Sequence, residues 1–214
     1  MVPFTKFAIE TGLLLLSNRD NTGYSEVISS VKYGISKYVE LSIDLPYVSR
    51  SGGLGNYDGM NYGSFQAKYR FYNGDIDAAC IQFGYQIDAA DTNRIIGSNE
   101  HDLTGILIYS RNFDDLMCIL NAGYTFDDEQ GGKPQNDFQL YNIAFSKPLD
   151  PVMNLVGEVQ YSKNTYMTDI FGETAIGLNY KYNDNFTLNT AIGCGLNENS
   201  SSSNFVVGAT YYAD

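Results

Sequence analysis

The feature that most limits how this chain can fold is a repeat of two. In Val39-Glu40-Leu41-Ser42-Ile43-Asp44-Leu45 the odd positions are aliphatic and the even positions polar. The same alternation runs through Ser64 to Phe71, Cys80 to Ile87, Asn154 to Tyr161 and Thr187 to Gly193. Successive side chains of a strand point to opposite faces, so a period of two specifies strands with one greasy and one polar face. Turn residues between these runs predict about twelve strands: 4–16, 24–35, 38–47, 60–72, 76–87, 102–111, 115–126, 138–147, 152–163, 169–182, 186–196 and 204–212. Short connections (Ser36-Lys37, Asn73 to Asp75, Asn112 to Asp114, Pro148 to Pro151, Asn183 to Asn185) alternate with longer polar ones. Short turns at one end, long loops at the other and an even strand count form the plan of a transmembrane barrel. The expected fold is all-β, a closed antiparallel up-and-down transmembrane β-barrel occupying 1–214 as a single outer-membrane domain.

Alternation does not say which face is inside, so the polar face decides. It carries Ser30, Gly34, Ser42, Gly84, Thr104, Ser110, Asn121, Gly123, Thr125, Ala175, Gly177, Asn179, Ala191, Gly193 and Gly195. A water-facing exterior needs dense Lys and Glu, yet charged residues make up only 18% of the chain. Small polar residues therefore line the interior and the bulky apolar residues meet lipid. Tyr33, Tyr38, Tyr69, Phe71, Phe113, Phe145, Tyr180, Tyr182 and Phe186 flank the short turns, and Tyr24, Tyr47, Tyr62, Tyr85, Tyr124, Phe138 and Tyr161 flank the loops. Two aromatic girdles at the headgroup levels are expected.

Several function classes fall away. With 13 Lys+Arg against 25 Asp+Glu the net charge is −12, and the basic residues are scattered, so nucleic acid is not a partner. The aliphatic run Leu13 to Leu16 is far too short for a membrane-spanning helix. Glu10 interrupts the apolar start and no small-residue cleavage site follows, so Met1 to Leu16 reads as mature protein, with Met1 either an added start or the remnant of a trimmed precursor. Cys80, Cys118 and Cys194 are widely spaced, the only histidine is His101, and adjacent Asp127-Asp128-Glu129 lack the ligand spacing of a calcium loop. No metal and no cofactor is expected. His101 stands beside Asp102 with no nucleophile motif, so the chain is read as a non-enzyme, a hydrolase being the least favoured of three readings.

The stretch Val31-Lys32-Tyr33-Gly34-Ile35-Ser36-Lys37-Tyr38-Val39-Glu40-Leu41-Ser42-Ile43-Asp44-Leu45-Pro46-Tyr47 resembles a hairpin of the MetA-pathway of phenol degradation family of outer-membrane transporters. That resemblance implies a Gram-negative outer-membrane barrel passing small organic or aromatic compounds. In size and strand count the chain is also similar to the monomeric porins for acidic oligosaccharides. Those depend on an arginine-lined lumen, whereas the arginines here are Arg19, Arg50, Arg70, Arg94 and Arg111. Barrels of this kind end on an aromatic residue, and here Tyr211-Tyr212 is followed by Ala213-Asp214.

With even positions of 24–47 and 60–87 facing inward, the lumen holds Glu26, Lys32, Glu40, Asp44, Lys68 and Arg70. Opposite charges facing a narrow lumen pair, so an ion cluster Lys32–Glu40–Arg70 is expected near the periplasmic end, with Asp44–Lys68 above it. Glu158, Gln160, Glu173 and Lys181 form a second inward set across the barrel. Acidic loops (Asp88, Asp91, Glu100 and Asp102; Asp127 to Glu129 and Asp137) concentrate cations at the mouth. The expected function is passive uptake of small solutes through a narrow, cation-leaning outer-membrane channel, with Asp88 to His101 as the candidate infolded loop. The alternative is a plugged structural or adhesin-type barrel whose loops bind partners. Membrane lipid, lipopolysaccharide and the small-molecule solute are the expected partners.

Overall fold

The computed structural model describes residues 1–3, 5–18, 23–51, 57–60, 62–88, 101–127, 137–165 and 170–213. The strands within it are β1 (Phe7–Ser17), β2 (Gly23–Gly34), β3 (Val39–Ser51), β4 (Tyr57–Met60), β5 (Tyr62–Asn73), β6 (Asp77–Asp88), β7 (His101–Phe113), β8 (Leu116–Asp127), β9 (Phe138–Pro148), β10 (Met153–Asn164), β11 (Ile170–Lys181), β12 (Phe186–Gly195) and β13 (Ser203–Ala213). Chain neighbours pair antiparallel except β4 and β5, which both pair with β3; β13 returns to β1, and the β2–β3 pairing completes the ring. Apart from β4, which pairs with β3 alone, the described staves are paired on both sides, as hydrocarbon requires because it offers backbone groups no partners.

Thirteen strands make twelve staves. β3 pairs with β5 in the register Asp44↔Ser64, but with β4 in the register Tyr47↔Met60. Two residues of β3, Leu45 and Pro46, thus face three residues of the opposite stave, and a bulge separates β4 from β5. Pro46 has no N–H to give to a ladder, and the pairing slips where it sits. A second bulge leaves Phe71 unpaired between Arg70↔Cys80 and Tyr72↔Ala79. The expected first strand, 4–16, begins later. Thr5 takes φ 61°, a left-handed conformation unusual for a β-branched residue. Lys6 N–H donates to the Pro3 carbonyl at 3.1 Å, closing a turn ahead of β1.

The apolar surface is turned outward. Ile143, Ile192, Phe126 and Phe83 are each more than half exposed, whereas the buried apolar residues among those described are Val2, Ala8, Val48, Cys80 and Pro46. A chain of 214 residues in water could not hold so small an apolar interior against the loss of chain entropy. In a bilayer the arrangement is the stable one. Tyr38, Tyr69, Phe71, Phe113, Tyr180 and Tyr182 are exposed near the short turns, and Tyr47, Tyr85 and Tyr161 near the loops, as the girdles require. Tyr24 and Phe138 depart from that expectation. Tyr24 lies on the face of Glu26 and donates its hydroxyl to it at 3.0 Å, and Phe138 pairs with lumenal Thr125. Both turn into the barrel.

Ile143 sits midway along β9 with 60% of its surface exposed. Replacing it with Arg should cost about 2–4 kcal/mol in denaturant unfolding from lipid vesicles, the usual penalty for a charge on the lipid face at midplane. An unchanged unfolding midpoint would contradict this orientation.

Candidate functional site

The lumen is built by register. Cross-strand pairing aligns Glu40 with Lys68, Ser42 with Gln66 and Asp44 with Ser64, so the inward residues of β2, β3, β5 and β6 stack into layers. The lower layer, nearest the short turns, holds the ions. Lys32 Nζ lies 2.6 Å from Glu10 Oε2, and Lys68 Nζ lies 3.5 Å from Glu40 Oε1. The layer above is a hydrogen-bonded ladder of neutral donors around one acid. Asp44 accepts from Ser30, from Ser64 at 3.0 Å and from Gln66, while Gln82 donates to Gln66 at 2.7 Å.

These partners differ from the expected cluster. Lys32 goes to Glu10 rather than Glu40, Lys68 to Glu40 rather than Asp44, and Arg70 donates to Asn73 at 3.2 Å with its Nε buried and unpartnered. The reason is register. Counting residues from the short turns levels Arg70 with Glu40, whereas the β3–β5 ladder sets Lys68 opposite Glu40 and brings Arg70 N–H onto the Tyr38 carbonyl below it. Glu10 belongs to the same layer through β1. Its alternation with Ala8 and Gly12 marks it as inward, a signal hidden by the apolar residues around it.

The opposite wall is acidic and, among the described residues, carries no such ion pairs. Glu158 accepts from Asn142 at 3.1 Å, and Asn142 accepts from Asn121 at 3.2 Å. Glu173 accepts from Gln160 at 3.1 Å, Ser201 at 2.7 Å and Asn204 at 3.4 Å. Lys181, expected among them, reaches the periplasmic turn and pairs with Asp184 at 2.7 Å. That hydrogen bond holds the exposed Asp184 carboxyl below the usual carboxylate range. Two lumenal cavities open along this wall. One of about 450 Å³ is lined by Ile106, Leu140 and Phe171 together with Asn121 and Asn142. Another of about 310 Å³ is lined by Leu14, Leu16 and Val206 together with Glu158 and Asn204. Gln160 and Glu173 belong to both.

The segment before β1 narrows the periplasmic end. Thr5 N–H donates to the Gly34 carbonyl at 2.9 Å, and Gly34 N–H to the Lys6 carbonyl at 3.1 Å. The chain then turns inward, burying Val2 and directing its N–H onto Glu40. Gly34 makes this approach possible, because a Cβ there would stand 2.3 Å from the Pro3 carbonyl oxygen. The expected infolded loop, Asp88 to His101, falls almost wholly outside the described residues, as do Asp128 and Glu129. Among the described residues no group of three His, Cys, Asp or Glu could hold a metal ion.

A closed ring of twelve amphipathic staves, apolar outside and ionised inside, defines an outer-membrane β-barrel. The chain belongs to the family described as "Putative MetA-pathway of phenol degradation", whose profile matches residues 2–213. No curated protein matches the sequence. Among solved structures it is similar to the KdgM porin in complex with disordered oligogalacturonate, at 14% identity and TM-score 0.68, covering 95% of this chain and 98% of that one. It is similar also to the NanC porin, at 9% identity and TM-score 0.72, covering 96% and 98%. An anion-selective porin from Comamonas acidovorans aligns at 9% identity and TM-score 0.53, covering 98% and 99%. The protein is thus a bacterial outer-membrane barrel.

Gly34→Val would drive a side chain into the Pro3 carbonyl. Hydrogen–deuterium exchange should find the Val2, Thr5 and Lys6 amides slow in the parent and at least about tenfold faster in the variant, since bonded amides exchange only through local opening. Equal rates would show that the segment is not held at Gly34.

Proposed function

We propose that this barrel, a single domain over 1–214, is a passive channel for small solutes, with membrane lipid and lipopolysaccharide as its surroundings and no catalytic role. The carrying observation is the ionised lumen. An eight-stranded barrel is filled by its own side chains and a sixteen-stranded one is widely open, so twelve staves leave a passage narrow enough for lining charges to act on a solute. Charges in such a passage cost free energy to keep there, and a passing solute is what makes use of them.

Lys32, Glu40, Asp44, Lys68, Arg70, Glu158, Glu173 and Lys181 are the residues to which selectivity is assigned, and Glu10 joins them. Among the described residues the lumenal carboxylates of Glu10, Glu26, Glu40, Asp44, Glu158 and Glu173 outnumber the cations Lys32, Lys68, Arg70 and Lys181. The net lumenal potential is negative, which favours cations. The oligogalacturonate of the KdgM title and the anion selectivity of the Comamonas porin belong to those proteins. The carboxylate excess argues for the opposite preference here, and small organic solutes fit both the narrow passage and the family's description.

A plugged structural barrel is the second reading, and the segment tucked against Glu40 is the observation that favours it. Planar bilayers separate the two. Purified protein should give discrete current steps with a K⁺ over Cl⁻ preference, and complete silence at both polarities would contradict the channel. Lys68→Ser with Arg70→Ser should raise the K⁺/Cl⁻ permeability ratio roughly twofold or more, because two positive charges leave the constriction. An unchanged reversal potential would contradict the assignment of these two residues.

A further inference from the structure

The lumenal acids fall into two kinds. Glu10 and Glu40 each have a lysine at salt-bridge distance. Among the described residues Asp44, Glu158 and Glu173 have none, and of these Glu158 and Glu173 line cavities. Their partners are amides and hydroxyls, and neither cavity beside them has a Lys or Arg in its lining. Carboxylates inside a membrane-spanning barrel are costly without a counter-charge, and here two stand on neighbouring strands, with Gln160↔Glu173 and Glu158↔Ala175 as cross-strand pairs.

Each amide of this wall gives one of its two N–H donors to a neighbour, and among the described residues the buried Asn121 and Asn204 Oδ1 atoms accept nothing. Asn121 gives its N–H to Asn142, Asn142 to Glu158, and Gln160 and Asn204 to Glu173. The wall therefore presents acceptors and negative charge to the cavities, and a ligand would have to supply donors and a positive charge. The lining also carries hydrocarbon: Leu14, Leu16 and Val206 on one side, Ile106, Leu140 and Phe171 on the other. By register these aliphatic and aromatic side chains point into the barrel, among its polar ones. A bare metal cation gains nothing from them. An apolar body gains about 25 cal/mol for each Å² it removes from water.

From the uncompensated pair Glu158/Glu173 and the apolar cavities on either side, we infer that this wall is a binding site for small organic cations, an ammonium group carried on a ring-sized apolar body. The ammonium donates to Glu158 and Glu173 and the body lies against Phe171 and Leu140 or against Leu14 and Val206. The site rests on the channel reading and sharpens it from cation preference to a class of solute.

The test is current block by benzylammonium, with methylammonium as the same charge without the body and benzoate as the same body with the opposite charge. At millimolar concentration and neutral pH, benzylammonium should reduce the K⁺ current through the parent protein while methylammonium and benzoate at equal concentration leave it. Glu158→Gln with Glu173→Gln should weaken the block at least about tenfold, the loss of two charge-assisted contacts, and Phe171→Ser should weaken it while keeping the K⁺ preference. Heat-modifiable migration on gels verifies that each variant is folded. Equal block by methylammonium, or block that survives both Gln substitutions, would overturn the site while leaving the channel standing. A parent protein that carries no current sinks the channel instead. Calorimetric titration of benzylammonium into the folded protein in detergent then decides the site alone, by binding lost in the double variant or by no binding at all.

Discussion

In hydrocarbon an unpaired N–H or C=O costs several kcal/mol, and every feature of this barrel follows from avoiding that cost. The wall must close, so β13 returns to β1 and β2 meets β3. Closure fixes the register of each stave against two neighbours, and register decides which side chains share a layer. The lower ion layer therefore depends on backbone pairing as much as on side-chain attraction: Glu40 meets Lys68 because their backbone positions are paired. Where the ladder lacks a donor, at Pro46, the structure accepts a bulge and divides one stave into β4 and β5.

The lumen then has two walls of different chemistry. One, formed by β1 to β6, carries lysine–carboxylate pairs and the Asp44 ladder, largely neutral within itself. The other carries Glu158 and Glu173 among neutral amides, with hydrocarbon on both flanks. In the proposed channel, a solute crossing the lumen would pass between a largely self-compensated surface and one whose charge is left for it to answer. The inward segment at Glu40 narrows the periplasmic exit on the compensated side.

Much of the fold is legible in the sequence because a period of two is a local property. The small residues assigned to the lumen, from Ser30 to Gly195, lie on the inward face, and Leu41, Ile43 and Leu45 point outward. What the sequence hides is non-local. Lys32 has its partner on β1 and Lys68 directly across on β3, and neither follows from counting residues to a turn. The bulge at Pro46 and the turn at Thr5 break the alternation in ways that a period cannot foresee. Tyr24 and Phe138 fit a girdle by position along the chain but face the lumen by parity. The inward apolar residues Leu14 and Leu16 are masked in a run that is aliphatic on both faces.

The orientation of the two faces supports every functional statement, and single-cysteine scanning of β9 tests it most directly. In protein refolded into liposomes, with Cys80, Cys118 and Cys194 replaced by Ser, positions 140 to 145 would each be changed to Cys and exposed to a water-soluble maleimide. Labelling is expected at 140, 142 and 144 and protection at 141, 143 and 145, because the first set faces the lumen and the second the acyl chains. The reverse pattern, or labelling without a period of two, would contradict it.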